Sequence, residues 1–501
     1  MSGPEAAAAP ERPPLEVLIV GAGFSGLCLG ARLARAGMHS FLILEKAEEV
    51  GGTWRDNTYP GCACDVPSHL YSLSFAPRAE WTRLYPSWTE LLDYLKGFVR
   101  RFGLQPHLRL GVEMTGAEWD AEAALWRVTT QRGETISART LVSAVGALHT
   151  PDIPRLPGIE TFAGPAFHSA RWRHDVSLKG KRVAVVGTGA SALQFAPEIA
   201  PEAERLYVFQ RTAPWVLPKL DRRVGRLEQA LRRRLPGFAR AHRLLTYWRF
   251  ELRALAMKGN QRLLDKVEAL GRNLLERQVQ DPGLRARLTP GFRVGCKRIL
   301  LSNDWYPMFS RPNVELVTAA VREVRPHAVV DAEGVERPVD VLVWGTGFSV
   351  TKALRRLPVR AHGRTLDEAW GEQVRSLYGV SVEGFPNFFL MLGPNTGLGH
   401  NSQLIMIEAQ ADHIVSALQL RRRRKAAVMA PRAEAVAAFD ARLQAALARS
   451  VWQTGGCRSW YQDAAGRNPT VWPGFTFDYR RRAGRARAQD YAFAAPAAPG
   501  N

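Results

Sequence analysis

The stretch Leu15-Glu-Val-Leu-Ile-Val20-Gly21-Ala-Gly23-Phe-Ser-Gly26 decides the fold. It begins with a short apolar run rich in β-branched side chains, which predicts a buried parallel strand. A helical pattern then continues to about residue 36, and FLIL at 41–44 forms a second apolar run. A strand, a glycine-rich turn, a helix and a strand in about 30 residues are typical of a unit that binds a dinucleotide.

The same unit occurs a second time. RVAVV at 182–186 predicts a strand, and Gly187-Thr-Gly189-Ala-Ser-Ala192 forms the turn before a helix to about residue 200. A further apolar run, LYVF, follows at 206–209. Because the two leading glycines stand at positions 21 and 187, the pattern indicates duplication of one large unit and not a short-period repeat.

Each position of the turn has a physical role. The first glycine allows the tight turn, the second lets the backbone approach a pyrophosphate, and the small third residue lets the helix pack closely on the strand. The pyrophosphate then binds at the N-terminus of the helix, where amides and the helix dipole favour anions. The predicted nucleotide-binding residues of the two turns are Gly21, Gly23 and Gly26, and Gly187, Gly189 and Ala192.

The residue that stands 24 positions after each leading glycine distinguishes the two sites. In the first unit it is Glu45, which suits a ribose 2′-hydroxyl and would repel a 2′-phosphate. In the second unit it is Arg211, which suits a 2′-phosphate. The first site is therefore predicted to bind FAD and the second NADPH, with Thr212 and Lys219 as further candidates for the phosphate pocket.

The remaining patterns predict an α/β fold with two Rossmann-like dinucleotide-binding domains, for FAD and NADPH, and a helical insertion. Residues 217–290 are rich in Arg and Leu and have helical periodicity, whereas strand patterns return between 314 and 343. The predicted divisions are 1–150 as the first part of the FAD-binding domain, 151–216 as the first part of the NADPH-binding domain, 217–290 as the insertion, 291–347 as the second NADPH-binding part, and 348–501 as the second FAD-binding part with a C-terminal tail.

Composition excludes several protein classes. The 501 residues are 46% hydrophobic and 23% charged, which is ordinary for a globular protein and excludes a fibrous or largely disordered chain. No apolar stretch approaches the roughly 20 residues that span a bilayer. The first 14 residues lack the pattern of a secretory signal and are expected to be frayed, and the tail from about residue 483 is expected to be mobile.

The five cysteines, Cys28, Cys62, Cys64, Cys296 and Cys457, are sparse and odd in number. They do not describe a disulfide framework, and they favour a cytoplasmic location. The spacing of Cys62 and Cys64 is wrong for a CxxC redox pair or a zinc set, so these two are interpreted as loop packing and no metal site is predicted.

The net charge of +21 makes nucleic acid or an anionic membrane a first hypothesis for the partner. Arg is spread along the whole chain, however, with local runs only at 421–425 and 480–487. A solvated basic surface is the preferred interpretation, and no nucleic-acid partner is expected.

The segment Phe162-Ala-Gly-Pro-Ala-Phe-His168-Ser-Ala-Arg-Trp172, just before the second turn, resembles the fingerprint of the type I Baeyer–Villiger monooxygenases. These enzymes are members of the flavin-containing (class B) monooxygenases. The chain departs at the last position, where Arg173 replaces Pro or Asp. The resemblance extends over about residues 14–475 and includes GGTWRDNTYPGCACDVPSHLYS (51–72), GCKRILLSNDWYPMFSRPNVELV (295–317), GFPNFFLMLGPNTGLGHNS (384–402) and VWQTGGCRSWYQDAAGRNPTVWPG (451–474).

The resemblance implies an NADPH- and O2-dependent flavoprotein that forms a C4a-peroxyflavin and inserts one oxygen next to a ketone carbonyl, giving an ester or lactone. It places Arg298 beside the peroxide, where a fixed cation would stabilise negative charge. It pairs Asp65 with this arginine, next to the flavin, and it places Lys297 against NADPH.

Further residues take roles from the same resemblance. Gly52, Thr53 and Trp54 belong to the loop that contacts the flavin. Asn401 opens a helix whose N-terminus faces the flavin pyrimidine edge, where its positive end would stabilise the reduced ring. His168 and Trp172 are expected to link the two domains and shape their motion, not to transfer protons.

Two other functions stay open at this point. Arg173 keeps open a flavin monooxygenase that oxygenates amine nitrogen or sulfide sulfur, because such relatives have variants of the fingerprint. A more remote alternative is an NADPH-dependent flavin reductase or oxidase. The expected partners are a small-molecule substrate, which is a ketone or heteroatom compound, and O2.

Overall fold

The structure is a computed structural model that describes residues 13–495. The N-terminal segment predicted to be frayed lies almost entirely outside this range. The strands, in chain order, are β1 Val17–Val20, β2 Phe41–Leu44, β3 Leu108–Arg109, β4 Met114–Asp120, β5 Leu125–Thr130, β6 Thr135–Ala138, β7 Leu141–Ser143, β8 Ala166–His168, β9 Arg182–Val186, β10 Arg205–Phe209, β11 Val216–Leu217, β12 Leu300–Leu301, β13 Val314–Val317, β14 Val321–Arg325, β15 Ala328–Asp331, β16 Glu336–Pro338, β17 Val341–Trp344, β18 Val359–Ala361, β19 Arg364–Thr365, β20 Phe388–Leu390, β21 Val428–Pro431 and β22 Tyr491–Ala494.

The α-helices are distributed along the described chain. They are α1 Phe24–Arg35, α2 Thr53–Asp56, α3 Trp88–Arg101, α4 Ala190–Ile199, α5 Arg226–Arg234, α6 Pro236–Glu251, α7 Ala254–Met257, α8 Gln261–Gln278, α9 Pro282–Leu288, α10 Trp305–Met308, α11 Val350–Arg355, α12 Leu366–Trp370, α13 Gln403–Arg423, α14 Ala433–Leu447, α15 Val451–Thr454 and α16 Thr476–Ala483.

The first parallel sheet has the strand order β20-β7-β1-β2-β3. β1 lies in its centre and pairs in register with β2, Val17 opposite Phe41, and with β7, Leu18 opposite Leu141. All four residues of β1 are buried, which is why the strand is apolar without alternation. The helix α1 covers one face of this sheet and packs against α13, which arrives from the distant second part of the chain.

The second parallel sheet has the order β13-β10-β9-β17-β8 and repeats the plan of the first. Its central strand β9 pairs with β10 on one side and with β17 on the other. The predicted α/β fold with two Rossmann-like units is confirmed. The first sheet takes β20 from beyond residue 348, and the second takes β13 and β17 from 291–347.

Two further sheets and a run of helices are attached to the two parallel sheets. The sheet β19-β18-β4-β5-β6 and the sheet β14-β15-β16 each flank one of the parallel sheets, and both consist mainly of antiparallel pairs. Residues 226–288 form α5 to α9 with no strand among them, as the helical periodicity predicts. Within residues 13–495, no helix is long and apolar enough to cross a bilayer.

The expectation of a mobile C-terminal tail is wrong for residues up to 495. β22 pairs antiparallel with β21, with Tyr491 opposite Pro431, and the Tyr491 side chain is buried. Its hydroxyl hydrogen-bonds to Nε2 of His413 at 2.7 Å and to Ser381 at 2.9 Å. The alanine- and arginine-rich composition does not predict this contact, because a single buried tyrosine anchors the segment.

The expectation that the cysteines form no disulfide is wrong at one pair. Cys296 and Cys457 are joined by a disulfide across 161 residues of sequence. The other three, Cys28, Cys62 and Cys64, are free and buried. Sequence spacing could not reveal the pair, because its two members meet only through the fold.

Candidate active site

The two glycine turns have nearly the same backbone. Gly21 has a φ of +108° and Gly187 a φ of +107°, a region that L side chains rarely adopt. A Cβ at Gly21 would also lie 2.5 Å from the carbonyl oxygen of Ala144, and one at Gly187 would lie 2.5 Å from that of Gly345. Glycine is therefore required at the leading position of each turn.

Both turns leave the N-terminus of the following helix available for an anion. α1 begins after Gly23 and α4 after Gly189, both in extended backbone and without a side-chain cap. At Gly23 a Cβ would meet only the Cα of Gly52, at 3.7 Å, so the backbone there can approach a ligand closely. Uncapped amides at the start of a helix are what a pyrophosphate needs, so the residues present fit the two dinucleotides that the sequence predicts.

Glu45 stands at the end of β2 and is held firmly. Only 5% of it is exposed, and it accepts hydrogen bonds from the amides of Ala22 at 2.9 Å and Ala47 at 3.1 Å. Arg55 of α2 donates to the same carboxylate at 3.0 Å. The sequence analysis missed Arg55, although it lies in the loop of 51–72. The carboxylate therefore lies beside the first turn in one fixed orientation, where a ribose hydroxyl could donate to it.

Arg211 stands at the end of β10 in a different setting. It is exposed and, among residues 13–495, forms no ion pair. Burial lowers the pKa of Lys297, and the nearby charge of Arg211 lowers it further, so the two cations lie close together. Thr212 adds a half-buried hydroxyl, and its carbonyl accepts from Thr188 at 3.4 Å. Neither Arg211 nor Lys297 forms an ion pair in the described part of the chain, and two such cations near each other favour an additional phosphate group.

Asp65 and Arg298 meet across 233 residues of sequence. Nε of Arg298 donates to Oδ2 of Asp65 at 3.2 Å, and a terminal guanidinium nitrogen donates to the same oxygen. Burial raises the pKa of Asp65, but the charge and hydrogen bonds of Arg298, with a smaller contribution from Lys219, hold it below its usual value. The carboxyl in turn raises the pKa of Arg298, so both groups are ionised at neutral pH.

Lys219 lies on the Asp65 side of the site. Its ammonium stands 5.6 Å from the ring of Tyr85, and its charge lowers the pKa of Cys62, although burial is the larger effect and raises that pKa to about 12. No contact joins Lys219 to Arg211 in the described part of the chain. The structure therefore supports the 2′-phosphate role less for Lys219 than for Lys297.

The segment that carries Lys297 and Arg298 is attached at its start by the disulfide. Cys296 is bonded to Cys457, and the amide of Arg293 donates to the carbonyl of Gly455 at 2.9 Å. Beyond the disulfide, Tyr461 is close enough for its pKa, raised to about 12 by burial, to be lowered in part by Arg298. The C-terminal region thus forms one wall around the arginine, and Tyr461 is a neighbour that the sequence analysis did not identify.

Gly52, Thr53 and Trp54 lie next to the first turn. Gly52 precedes α2 and faces Gly23, while Trp54 is buried and its ring meets that of Tyr71 edge-on at 5.6 Å. Thr53 is half-buried at the start of α2. The three residues therefore form a surface beside the open backbone of the turn.

Asn401 is buried directly before α13. Its Oδ1 accepts from the amide of Ser402 at 2.8 Å, and its Nδ2 donates to Glu251 at 2.6 Å. Glu251 is fully buried and also accepts from the amide and the hydroxyl of Thr476 at 2.5 and 2.8 Å. One carboxylate thus ties α6, the start of α13 and the start of α16 together. Glu251 was missed by sequence reasoning, although it is the only acidic residue of α6.

His168 and Trp172 lie at the β8 edge of the second parallel sheet. His168 ends the edge strand β8, is buried, and accepts from the amide of Ala170 at 3.1 Å. Its ring meets that of Phe348 edge-on, and burial lowers its pKa. Trp172 packs on Phe195 of α4 at 5.1 Å between ring centroids.

The next residues extend this contact to the flavin side. Phe195 also touches Tyr59 of the loop 51–72 at 5.9 Å, and His174 hydrogen-bonds to Thr58 of that loop at 2.8 Å. Arg173, where the fingerprint departs, is exposed and pairs with Asp175. The segment therefore contacts both nucleotide units.

Cys62 and Cys64 are buried in the loop of 51–72. In the residues that the structure describes, no group of three or more His, Cys, Asp or Glu could hold a metal ion. Cys64 accepts from the amide of Val66 at 3.4 Å, and burial raises its pKa. The packing interpretation of Cys62 and Cys64 agrees with their burial.

Two parallel sheets with matching nucleotide turns, and a paired arginine between them, define an oxidoreductase of the class with two dinucleotide-binding domains. The profile described as flavin-binding monooxygenase-like matches residues 15–242. The chain is 46% identical to a Baeyer–Villiger monooxygenase of Streptomyces coelicolor, over 96% of this chain and 93% of that protein. It is 43% identical to a Baeyer–Villiger monooxygenase of Pseudomonas aeruginosa, over 93% of this chain and 89% of that protein.

A solved structure repeats the whole fold. The structure of OTEMO in complex with FAD and NADP superposes with a TM-score of 0.87 at 26% identity, covering 97% of this chain and 100% of that one. The chain belongs to the Baeyer–Villiger monooxygenases within the flavin-binding monooxygenases. The family resemblance that the sequence carries is confirmed.

Proposed function

We propose that Arg298, oriented by Asp65, is the fixed cation at the reacting atoms of this monooxygenase. The enzyme is an FAD- and NADPH-dependent monooxygenase that converts a ketone to an ester or lactone. One atom of O2 enters the bond next to the carbonyl and the other leaves as water, while NADPH and a proton supply the reducing equivalents. Bound FAD supplies the redox and oxygen chemistry of this reaction.

The pair of Asp65 and Arg298 is the observation that supports this role. A guanidinium whose pKa is raised by its partner stays charged throughout the working range. Since two of its nitrogens donate to one carboxylate oxygen, its orientation is set before any ligand binds. A preorganised cation stabilises negative charge on oxygen more strongly than mobile water does. Asp65 is accordingly a positioning residue.

The nucleotide sites divide by charge. FAD would be held by the first turn, with Glu45 toward the ribose, with Gly52, Thr53 and Trp54 beside the turn, and with Asn401 at the start of α13. NADPH would be held by Gly187, Gly189 and Ala192 at α4, and its 2′-phosphate by Arg211, Thr212 and Lys297. The proposed domain boundaries at 150, 216, 290 and 347 assign each of these groups to its own nucleotide.

His168 and Trp172 would transmit motion between the nucleotide units. Contacts from their segment reach Phe195 of α4 in the second unit and Phe348 at the start of the second FAD-binding part, and His174 reaches Thr58 near the first turn. A buried imidazole with a lowered pKa is neutral at neutral pH, which suits packing better than proton transfer.

The substrate would be a small-molecule ketone, with O2 as the second reactant and no nucleic acid involved. We also propose that the enzyme is cytoplasmic, which cell fractionation with an antibody to the chain would test.

The test compares two substrates and two arginine variants. Purified enzyme is given NADPH with cyclohexanone or with methyl phenyl sulfide, and lactone, sulfoxide and hydrogen peroxide are measured. Lactone formation supports the proposal, whereas sulfoxide with no lactone favours heteroatom oxygenation.

Arg298→Ala should lower lactone formation by roughly 10²–10³ while NADPH is still oxidised and peroxide is released. Arg311→Ala, which removes an exposed arginine without an ion pair in the described chain, serves as the control. Unchanged lactone yield in Arg298→Ala would refute the assigned role.

A further inference from the structure

Helix α6 of the insertion has one face packed against the protein. Arg243 donates from this face to the carbonyl of His69, and Tyr247 hydrogen-bonds to Thr476 at 3.1 Å. Glu251 on the same face holds Asn401. The rotational position of α6 is therefore fixed by polar contacts along most of its length.

The opposite face is apolar and largely exposed, with the ring of Trp248 in contact with that of Phe477 at 6.1 Å between centroids. Leu244, Leu245 and Trp248 of α6, Leu252 directly after it and Leu255 of α7 follow helical spacing, and each exposes 40–61% of its surface. We call these five residues the α6 stripe. Scattered exposed apolar residues are normal, but a contiguous row of this kind marks an interaction surface.

The charges around the stripe have one sign. Arg240 and Arg249 of α6 are exposed on its flanks, and Arg233 and Arg234 are exposed at the end of α5 immediately before it. None of the four forms an ion pair in the described part of the chain, whereas the neighbouring Arg232 is engaged with Glu228. The single acid of α6, Glu251, is buried on the other face, so it does not neutralise these cations.

We propose that the α6 stripe docks this enzyme on an anionic phospholipid surface. A helix with an apolar face bordered by arginines lies in the interface of a bilayer, with the apolar side chains inserted and the cations at the phosphates. The flanking charges favour lipid over a second copy of the chain, because a symmetric dimer through α6 would bring each set of arginines toward its equivalent. The docking does not depend on the roles of Arg298 or the nucleotides.

The test is flotation of the FAD-loaded enzyme with vesicles at physiological salt. One preparation is phosphatidylcholine alone, and the other contains equal parts of phosphatidylcholine and phosphatidylglycerol. The enzyme should float with the anionic vesicles and not with the neutral ones, and added salt should weaken the binding. Absence of binding to the anionic vesicles would overturn the proposal.

Two sets of variants separate the apolar and charged contributions. Leu245→Gln with Trp248→Gln should lower vesicle binding at least tenfold, roughly the effect of losing two inserted apolar side chains. Because Trp248 also contacts Tyr247 and Phe477, Leu244→Gln with Leu245→Gln is a second stripe variant without ring contacts. Arg240→Gln with Arg249→Gln should lower binding roughly tenfold or more.

The control variants replace exposed apolar or arginine residues that lie outside the α6 stripe. Val335→Gln removes an exposed apolar residue of the β15–β16 turn, and Arg311→Gln with Arg356→Gln removes two exposed arginines. Binding should stay within about twofold in both, since neither belongs to an interfacial helix. Equal binding by the stripe variants and wild type would overturn the proposal. So would a dimer in sedimentation that Leu245→Gln with Trp248→Gln dissociates, because a second copy would then cover the stripe.

Discussion

The two glycine turns share a backbone and differ in what surrounds it. Their leading glycines agree in φ within 1°, and neither following helix has a side-chain cap. At the first turn the acid Glu45 is buried and held by three donors, whereas at the second Arg211 is exposed and lies near another cation. The fold thus provides an anion site twice, and a single side chain at the end of the next strand distinguishes them. A buried, fixed partner suits a nucleotide that stays bound, and exposed cations suit one that exchanges.

The third position of the turn offers the strongest test of this comparison. A Cβ on Gly26 would lie 1.9 Å from the carbonyl oxygen of Gly21, whereas the second turn accommodates the methyl group of Ala192. Gly26→Ala should therefore lower the free energy of unfolding by about 3 kcal/mol and yield protein without flavin. Urea unfolding and the flavin-to-protein absorbance ratio measure the two effects. Gly97→Ala in α3, where only the end of Arg100 is near, is the control and should keep a normal flavin content while raising the free energy of unfolding by about 0.5–1 kcal/mol. A normal flavin content in Gly26→Ala would contradict the close packing of this turn.

The disulfide marks a second difference between the two halves. The first half contains only free thiols, whereas Cys296 and Cys457 cross-link the segment of Lys297 and Arg298 to the C-terminal region. Cys457→Ser should lower the free energy of unfolding by about 2–4 kcal/mol, because a long loop of the unfolded chain is no longer constrained. Thermal unfolding measures the change. Dithiothreitol should lower the Tm of wild type toward that of the variant and leave the variant unchanged. An equal Tm for wild type with and without the reductant would show that the bond does not contribute.

Short sequence patterns predicted the elements whose formation depends on residues close together in the sequence. The apolar runs at 17–20, 41–44 and 182–186 became buried central strands, because a parallel strand covered on both faces needs no polar alternation. The charges of Glu45 and Arg211 could be read by counting from each turn. The assignments of Asp65 and Arg298 depended on the family resemblance, since nothing in either segment alone indicates its partner.

Contacts between distant segments were beyond those patterns. Glu251 meets Asn401 and Thr476 across 150 and 225 residues, and Cys296 meets Cys457 across 161. The tail from 483 was misjudged because its composition is poor in strand formers, while one buried tyrosine secures β22. Each of these features depends on which surfaces the fold brings together.

Neutralising the charged residue at the end of each of the two strands sharpens the comparison between the nucleotide sites. Arg211→Gln should raise the KM for NADPH by roughly tenfold to a hundredfold, because a charged hydrogen bond to the 2′-phosphate is lost, and should leave the KM for NADH nearly unchanged. Steady-state kinetics with both nucleotides measure this. Glu45→Gln should instead lower flavin content and leave the preference between the nucleotides intact. If Arg211→Gln weakened both nucleotides equally, the arginine would not contact the 2′-phosphate.

The substitution with the smallest expected effect, Ala192→Gly, makes the reverse change of Gly26→Ala at the equivalent position of the second turn. Ala192→Gly gives the second turn the third residue of the first turn, so it removes a buried methyl group and adds a glycine near the start of α4. A loss of about 0.5–1 kcal/mol in the free energy of unfolding is expected from the backbone entropy alone. The KM for NADPH should change less than about twofold, because this position packs the helix and donates no charge to the ligand. Urea unfolding and NADPH kinetics of the same preparation measure both. If Ala192→Gly changed the KM as strongly as Arg211→Gln, packing and charge could not be separated at the second turn. The difference between the two nucleotide sites would then lie in how each helix seats on its sheet and not in the residue at the end of the next strand.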